Sequence, residues 1–413
     1  MRRLLSLLML VIGFWPLLLG QRNLILRDDI RTLCAEIGGQ LQALPILQLN
    51  GGEIVEFSFD QMSHDYHRFY YRVEHCDFDW EISEGLFVNE FLESSQTDVL
   101  VENHTESQNT TTLYTHYRFT FPNREVRPLV SGNYRITIYD DSTEEPVAKV
   151  HCCVVEPLVG VTGKVMTNTD IDWNDAHQQI EMQVAAPNLQ ARDLRGEIKT
   201  VVFQNGRIDN AVWNATPTYL NGTTLIWEHQ RQLIFPAGNE YRRFEQLSHR
   251  YPGMRVDELR WFEPYYHATL MEDEARRNYL KVDDRNGISV IRNTDNRDNA
   301  TESDYVFVHF FLKSDEFEEA EVFVDGQWVT GDFTPEYRLE YNAERRAYEG
   351  AIFLKQGYYN YQYLLLPKGN RIGQIGPIEG NYYQTSNDYT ILVYHRSPAG
   401  RYDRLVGMAT LQN

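Results

Sequence analysis

The sequence predicts an all-β protein, with tandem β-sandwich domains flanking a β-rich middle domain. Three observations carry that prediction. Apolar and polar residues alternate with period two in many short segments. Turn residues separate those segments at close intervals. Aromatic residues, with 26 Tyr, 20 Phe and 7 Trp among 413 residues, supply bulk for several packed cores. The expected division is a leader at 1–20, a sandwich at 21–157, a β-rich middle domain at 158–299 and a second sandwich at 300–413, a count in keeping with the length.

The leader, MRRLLSLLMLVIGFWPLLLG, carries two arginines, an apolar run from Leu4 to Leu19 and a small residue, Gly20. This is the pattern of a secretory signal peptide. Pro16 interrupts the run, and its length falls short of the ~20 apolar residues of a membrane span. In the first domain, EIVEFSFD sets Val55, Phe57 and Phe59 on one side. HRFYYRVEHCDFDW aligns Phe69, Tyr71 and Val73, and LYTHYRFTFP aligns Tyr117, Phe119 and Phe121. GNYRITIYDD aligns Tyr134, Ile136 and Ile138, and PVAKVHCCVVEP aligns Ala148, Val150, Cys152 and Val154. Each reads as a half-buried antiparallel strand. The GNYRITIY strand resembles the penultimate strand of a fibronectin type III or immunoglobulin-like domain, which implies a sandwich and no particular function.

In the middle domain HQQIEMQV and GEIKTVVFQNG read as strands, and LKVDDRNGISVIRN reads as a hairpin around Arg285-Asn286-Gly287. NTDNRDNATESD, at 293–304, has almost no apolar residue and reads as a linker. Alternation then returns in YVFVHFFLK, in EVFVDGQW with its Asp325-Gly326 hairpin signal, and in YTILVYH, all assigned to the last sandwich. The stretch KQGYYNYQYLLLP places Tyr359, Tyr361, Tyr363 and Leu365 on one face and Asn360 and Gln362 on the other. That spacing predicts a core-facing row whose hydroxyls need partners.

Charge and motifs narrow the function. With 39 basic and 59 acidic residues the formal charge is −20, and loss of Arg2 and Arg3 makes it more negative still. Such a chain repels nucleic acid and anionic lipid. No later segment reaches membrane-spanning length, so direct membrane insertion is not expected. Cys34, Cys76, Cys152 and Cys153 allow three pairings, and the sequence leaves open whether one disulfide forms. Adjacent Cys152 and Cys153 point to opposite faces of a strand, so at most one is expected to face a core partner. No HExxH, GxSxG, phosphate-binding loop or GxGxxG is present, and no catalytic constellation speaks for an enzyme. Asp170, Asp172, Asn174 and Glu181 match half of a calcium loop, but Asp175 stands where glycine is needed, and a polar turn before a strand is the better reading. No cofactor and no metal is expected.

Several phrases carry a family resemblance. They are HCDFDW, SQNTTTLYTHYRFTFPN, SGNY, NTD…HQQ, QNGR, FPAGNEYRRFE, LKQGYYNYQY, EGNYYQTSNDY and RYDRLVG, in this order along nearly the whole chain. Together they resemble the plug proteins of the type IX secretion system of Bacteroidota. The resemblance implies a non-catalytic periplasmic protein, associated with the outer membrane, that occludes the pore of a large β-barrel translocon. It also implies a bearing on gliding motility. Contact with that barrel is expected from Tyr241, Arg242, Arg243 and Phe244, since tyrosine and arginine are common interface anchors. Trp328, Tyr382 and Tyr383, on expected loops, are further candidates. Two rivals stand beside this reading. A periplasmic glycan-binding sandwich would expose the aromatic rows, because the tyrosine segment is also similar to starch-binding modules. A hydrolase would converge two carboxylates in a cleft.

Overall fold

A computed structural model of the chain describes residues 22–94 and 97–413. The expected leader lies outside the described residues. The described chain is nearly all β, in line with the period-two patterning.

The first domain is a two-sheet sandwich. One sheet orders Leu24–Ile25, Pro146–Val155, Gly132–Asp140, Phe69–Cys76 and Val99–Leu100, with Ile46–Gln48 parallel to Pro146–Val155. The other orders Gln40–Leu41, Ile30–Ile37, Val55–Gln61, Thr115–Phe121 and Asn103–Glu106. The aligned rows read from the sequence meet between these sheets. Phe59 stacks on Tyr117 at 5.3 Å and meets Phe69 edge-on, while Tyr71 stacks on Phe119 at 4.4 Å.

Pro146–Val155 is buried on both faces, which corrects the expectation for its cysteines. Cys152 belongs to the sandwich core, and Cys153 packs outward into a second apolar cluster against the next domain. All four cysteines are buried free thiols. Burial pushes the Cys34 and Cys76 thiols up to about 12, so they stay protonated and unreactive at neutral pH.

The second domain is discontinuous in sequence. One sheet orders Gly160–Met166, His177–Ala185, Thr224–Trp227 and Tyr219–Asn221, with Ile234–Pro236 also against His177–Ala185. Its partner sheet orders Arg207–Trp213, Ile198–Gln204, Asp388–His395 and Arg404–Gln412. The strand expected in the last sandwich, Asp388–His395, therefore pairs with Ile198–Gln204 across nearly two hundred residues of chain. Its continuous apolar run fits any doubly buried strand, so the pattern could not say which sheet it joins.

Everything between Ile234–Pro236 and Asp388–His395 forms an inserted third domain. Its sheet runs Arg242–Gln246, Gly357–Pro367, Ala320–Asp325, Arg338–Asn342, Ala347–Lys355, Tyr305–Lys313, Tyr265–Leu270 and Val256–Phe262. The expected division at 299 thus cuts through this domain. The two hairpins expected here, at Arg285-Asn286-Gly287 and at Asp325-Gly326, do not form; Ser289–Ile291, after the first turn, pairs with Gly357–Pro367 instead of with the segment before it. After Asp325 the chain enters a loop, and Gly326 serves close packing: a Cβ there would lie 2.8 Å from the Asn360 carbonyl oxygen. At Gln356-Gly357 the chain bends between strands that do not pair with each other, and a Cβ on Gly357 would meet the Val290 carbonyl at 2.5 Å.

The tyrosine row lies inside this domain. Tyr359, Tyr361 and Tyr363 are buried, and so are Asn360 and Gln362 on the opposite face. The Tyr361 and Tyr363 hydroxyls both donate to Asp273 Oδ2, at 2.7 and 2.9 Å, and the Tyr359 hydroxyl donates to the Lys355 carbonyl. Tyr363→Phe removes one hydrogen bond to a buried carboxylate and is expected to cost about 1.5 kcal/mol in urea unfolding. An unchanged midpoint would show that hydroxyl to be dispensable.

Candidate functional site

The phrases that carry the resemblance, far apart in sequence, gather at three junctions between the domains. The first joins the first domain to the inserted one. Asp60, next to last in the strand Val55–Gln61, has its carboxylate fully buried. Its Oδ2 accepts from Lys355 Nζ at 2.6 Å and from the Tyr305 hydroxyl at 2.7 Å, and its Oδ1 accepts from His116 Nδ1 at 2.7 Å. Burial pushes the Asp60 carboxyl up, but the Lys355 charge and the His116 hydrogen bond outweigh it and hold the group below the usual carboxylate range.

Beside Asp60, Asp304 Oδ2 accepts from the Thr111 amide and hydroxyl, and Asp304 Oδ1 accepts from the Thr112 amide. The Tyr114 hydroxyl donates to the Ser303 carbonyl at 2.8 Å. The segment 293–304, expected to be a linker, is therefore an ordered buttress. Asn293 and Ser303 are buried and bonded to each other. Its polarity reflects hydrogen bonding across a junction, a reason that composition alone does not reveal.

The second junction joins the first domain to the second. Cys76, Trp80, Cys153 and Val155 pack against Val201, Phe203, Leu392, Tyr394 and Leu405 in one apolar cluster. Within it the Tyr394 hydroxyl donates to Asn133 Oδ1 at 2.7 Å. HCDFDW and RYDRLVG meet at its rim: the Asp403 amide donates to Asp77 Oδ1 at 3.1 Å, and the Phe78 amide to Asp403 Oδ2 at 3.2 Å. Arg396 donates to Asp77 Oδ2 at 2.7 Å, and Arg401 pairs with Glu90 at 2.6 Å.

The third junction holds the two crossings between the second and inserted domains. Gln178, fully buried, donates from Nε2 to the Tyr383 and Thr385 carbonyls, and its Oε1 accepts from Asn387 Nδ2 and the Tyr389 hydroxyl. The Gly238 amide donates to Asn381 Oδ1, and Asn239 Nδ2 donates to the Glu379 carbonyl. Here HQQ, FPAGNEYRRFE and EGNYYQTSNDY form one polar core. QNGR adds Arg207, whose guanidinium pairs with Asp209 and donates to the Gly373 carbonyl at 2.9 Å.

This junction also decides the expected contact residues. Tyr241 is buried, with its amide donating to Asp284. Phe244 is fully buried, stacked on Tyr359 at 5.2 Å and edge-on to Phe310. Arg242 reaches Asp273 at 2.7 Å and Glu379 at 3.0 Å. Burial works against its charge, but Glu379 and Asp273 overrule burial and raise its pKa above the ordinary value. Burial likewise opposes ionisation of Glu379, and Arg242 and Arg276 hold that carboxyl below its usual range. These three residues build the inserted domain and offer no anchor to a partner. The motif marked tyrosine and arginine by type, but Arg242 and Phe244, on one face of the strand Arg242–Gln246, turn toward the domain's interior, and Tyr241 just before the strand is buried too.

Trp328 is half-buried, donates from Nε1 to the Asn360 carbonyl at 2.8 Å and lies edge-on to Tyr359. Arg243, Tyr382 and Tyr383 are half-buried at the surface. The Tyr382 and Tyr383 amides donate to the Gly238 and Asp175 carbonyls. The sequence reading missed Asp60, Lys355, Gln178, Asn387 and Asn133. Their one signal was a polar residue at or beside the end of a strand whose alternate positions are apolar. Among the described residues, no group of three or more His, Cys, Asp or Glu is placed to hold a metal ion.

Known proteins give the same direction. The family model for the type 9 secretion system plug protein 1st domain matches residues 30–156, the first sandwich and its edges. A crystal structure of a hypothetical protein from Parabacteroides merdae ATCC 43184 is 39% identical, with a TM-score of 0.92, over 95% of this chain and 99% of that one. The C-terminal domain of the Streptococcus pyogenes antigen I/II-family protein AspA aligns over 96% of this chain and 100% of that one, but at 10% identity and a TM-score of 0.15 it carries no argument. No curated protein matches. With its first domain matched by that family's model and its whole architecture shared with the Parabacteroides protein, this chain belongs to the type IX secretion system plug protein family, an envelope-associated component of type IX secretion.

Proposed function

We propose that this protein is a non-catalytic periplasmic plug, exported by its leader, that occludes the pore of the outer-membrane type IX translocon. One observation carries the reading: the phrases that mark the family are used at domain junctions, where they fix three β domains against one another. A pore that passes folded cargo leaks small solutes unless something of comparable bulk closes it. A body of this length has a gyration radius of roughly 21 Å if compact. Apolar and ionic locks between its domains keep that bulk from collapsing or hinging under load. The work is steric, and no bond is made or broken. The glycan-binding alternative needs aromatic rows open to solvent, and the tyrosine row is interior. The bearing on gliding motility follows from export of adhesins by the same route.

Deleting the gene while leaving the translocon at wild-type level is expected to raise entry of a large hydrophilic dye or antibiotic several-fold. Immunoblotting of the barrel serves as the control. Unchanged entry in that strain would sink the plug.

A further inference from the structure

The turn that half-matched a calcium loop has a different use. Its tip presents Ile171 at 53% and Trp173 at 75% exposure. An indole so open to water is an unusual choice for a solvated turn. The carboxylates that mimic calcium ligands brace the turn from within. Asp172 Oδ1 accepts from the Thr169 hydroxyl at 2.6 Å, and Asp172 Oδ2 accepts from His177 Nδ1 at 2.7 Å. Asp170 exchanges hydrogen bonds with Gln179 and accepts from His229 at 2.9 Å. The Asp172 amide donates to the Thr169 hydroxyl, and the Asn174 amide to the Thr167 carbonyl. The base is pinned at the third junction, where the Asp175 carbonyl accepts from the Tyr383 amide and the Ala176 carbonyl from the Ala237 amide.

We infer that Trp173, with Ile171 beside it, is a preformed docking anchor that inserts into an apolar pocket rimmed by lysine or arginine on a partner protein. Resting on the plug reading, that partner surface is the periplasmic rim of the translocon. Two observations select this occupant. The turn is already ordered, so seating the ring costs little conformational entropy, as in other rigid aromatic anchors. In the sequence Trp173 is flanked by Asp170, Asp172 and the exposed Asp175, the first two paired with His229 and His177. The hydrogen bond from Gln179 and the one from His229 hold the Asp170 carboxyl below its usual range. At Asp172 burial pulls upward, yet the bonds from Thr169 and His177 prevail and lower it. The exposed Asp175, on a chain of formal charge −20, fits a basic rim and opposes anionic lipid headgroups.

The test uses the mature protein and detergent-solubilised translocon in an equilibrium binding assay. Trp173→Ala is expected to weaken binding about thirty-fold or more, the loss of a central aromatic anchor, with an unchanged thermal midpoint. Asp172→Ala, which keeps the ring but frees the turn, is expected to weaken binding several-fold. Wild-type binding should also fall as salt rises from about 0.05 to about 0.5 M. Trp173→Ala binding within threefold of wild type would overturn the anchor and leave the plug standing. Failure of the wild-type protein to bind the translocon would overturn the plug, and the anchor with it. A blue shift of Trp173 emission, taken as wild type minus Trp173→Phe, with phosphatidylethanolamine–phosphatidylglycerol vesicles but not with the translocon would make the membrane the occupant and overturn the proposal.

Discussion

Lys355→Ala is expected to destabilise the protein by about 3–5 kcal/mol, read as a fall in the urea midpoint at constant m. Lys355 and Asp60 are both buried, with their charged atoms 2.6 Å apart. A buried pair need not add much stability over an apolar pair of the same shape, because each ion loses its hydration. Removing one partner is another matter. Alanine leaves the Asp60 carboxylate in place, facing only His116 and the Tyr305 hydroxyl, and also vacates the space over the Tyr114 ring, where Nζ sits 4.1 Å from the centroid. The protein must then either protonate Asp60 or admit water to the junction. The double variant Asp60→Asn with Lys355→Met is therefore expected to lose less than Lys355→Ala alone, since no charge is stranded. Equal losses would mean the junction is held by packing and not by this pair.

The site of that ion pair shows where sequence reading stops. The rows Phe57–Phe59, Tyr117–Phe121 and Tyr134–Ile138 were legible because a two-sheet sandwich enforces strict alternation, and each row faces its core. The tyrosine row was legible from its spacing, which puts Tyr359, Tyr361 and Tyr363 on one face. What escaped were contacts between domains. Cys153, the outward neighbour of a core residue, is buried only because another domain covers that face. Asp388–His395 reads as a local neighbour of the preceding strands but completes a sheet begun near residue 198, since the inserted domain lies between. The 293–304 segment looks like solvent-facing chain, and its side chains satisfy one another and the first domain. In each case the sequence records polarity, and only the pairing partner, distant in the chain, fixes whether that polarity meets water or protein.

Acid should expose another of these hidden contacts. His151 lies on the outward face of Pro146–Val155, buried, with its ring edge-on to Trp80 at 4.9 Å. Burial pushes its pKa down to about 3, and the nearby Arg135 and Lys149 charges push the same way, against a hydrogen bond to the Arg22 carbonyl. In the unfolded chain the ring titrates at about 6.5. Between those values the unfolded state binds a proton that the folded state refuses, so stability falls as pH drops below about 6.5 and the loss is complete only near the folded pKa. At pH 5 the single ring should have cost about 2 kcal/mol relative to pH 8. Other groups titrate in the same window. Burial raises Asp284 to about 6, which works in the opposite sense, while buried His75 adds to the loss. These contributions are common to wild type and to His151→Leu, so the difference between their urea-unfolding profiles isolates the one histidine. That difference should be flat above pH 7.5 and shift by about 2 kcal/mol in favour of leucine by pH 5. A difference independent of pH would mean the ring accepts its proton while folded, and that the face between the first domain and its neighbours is open to water.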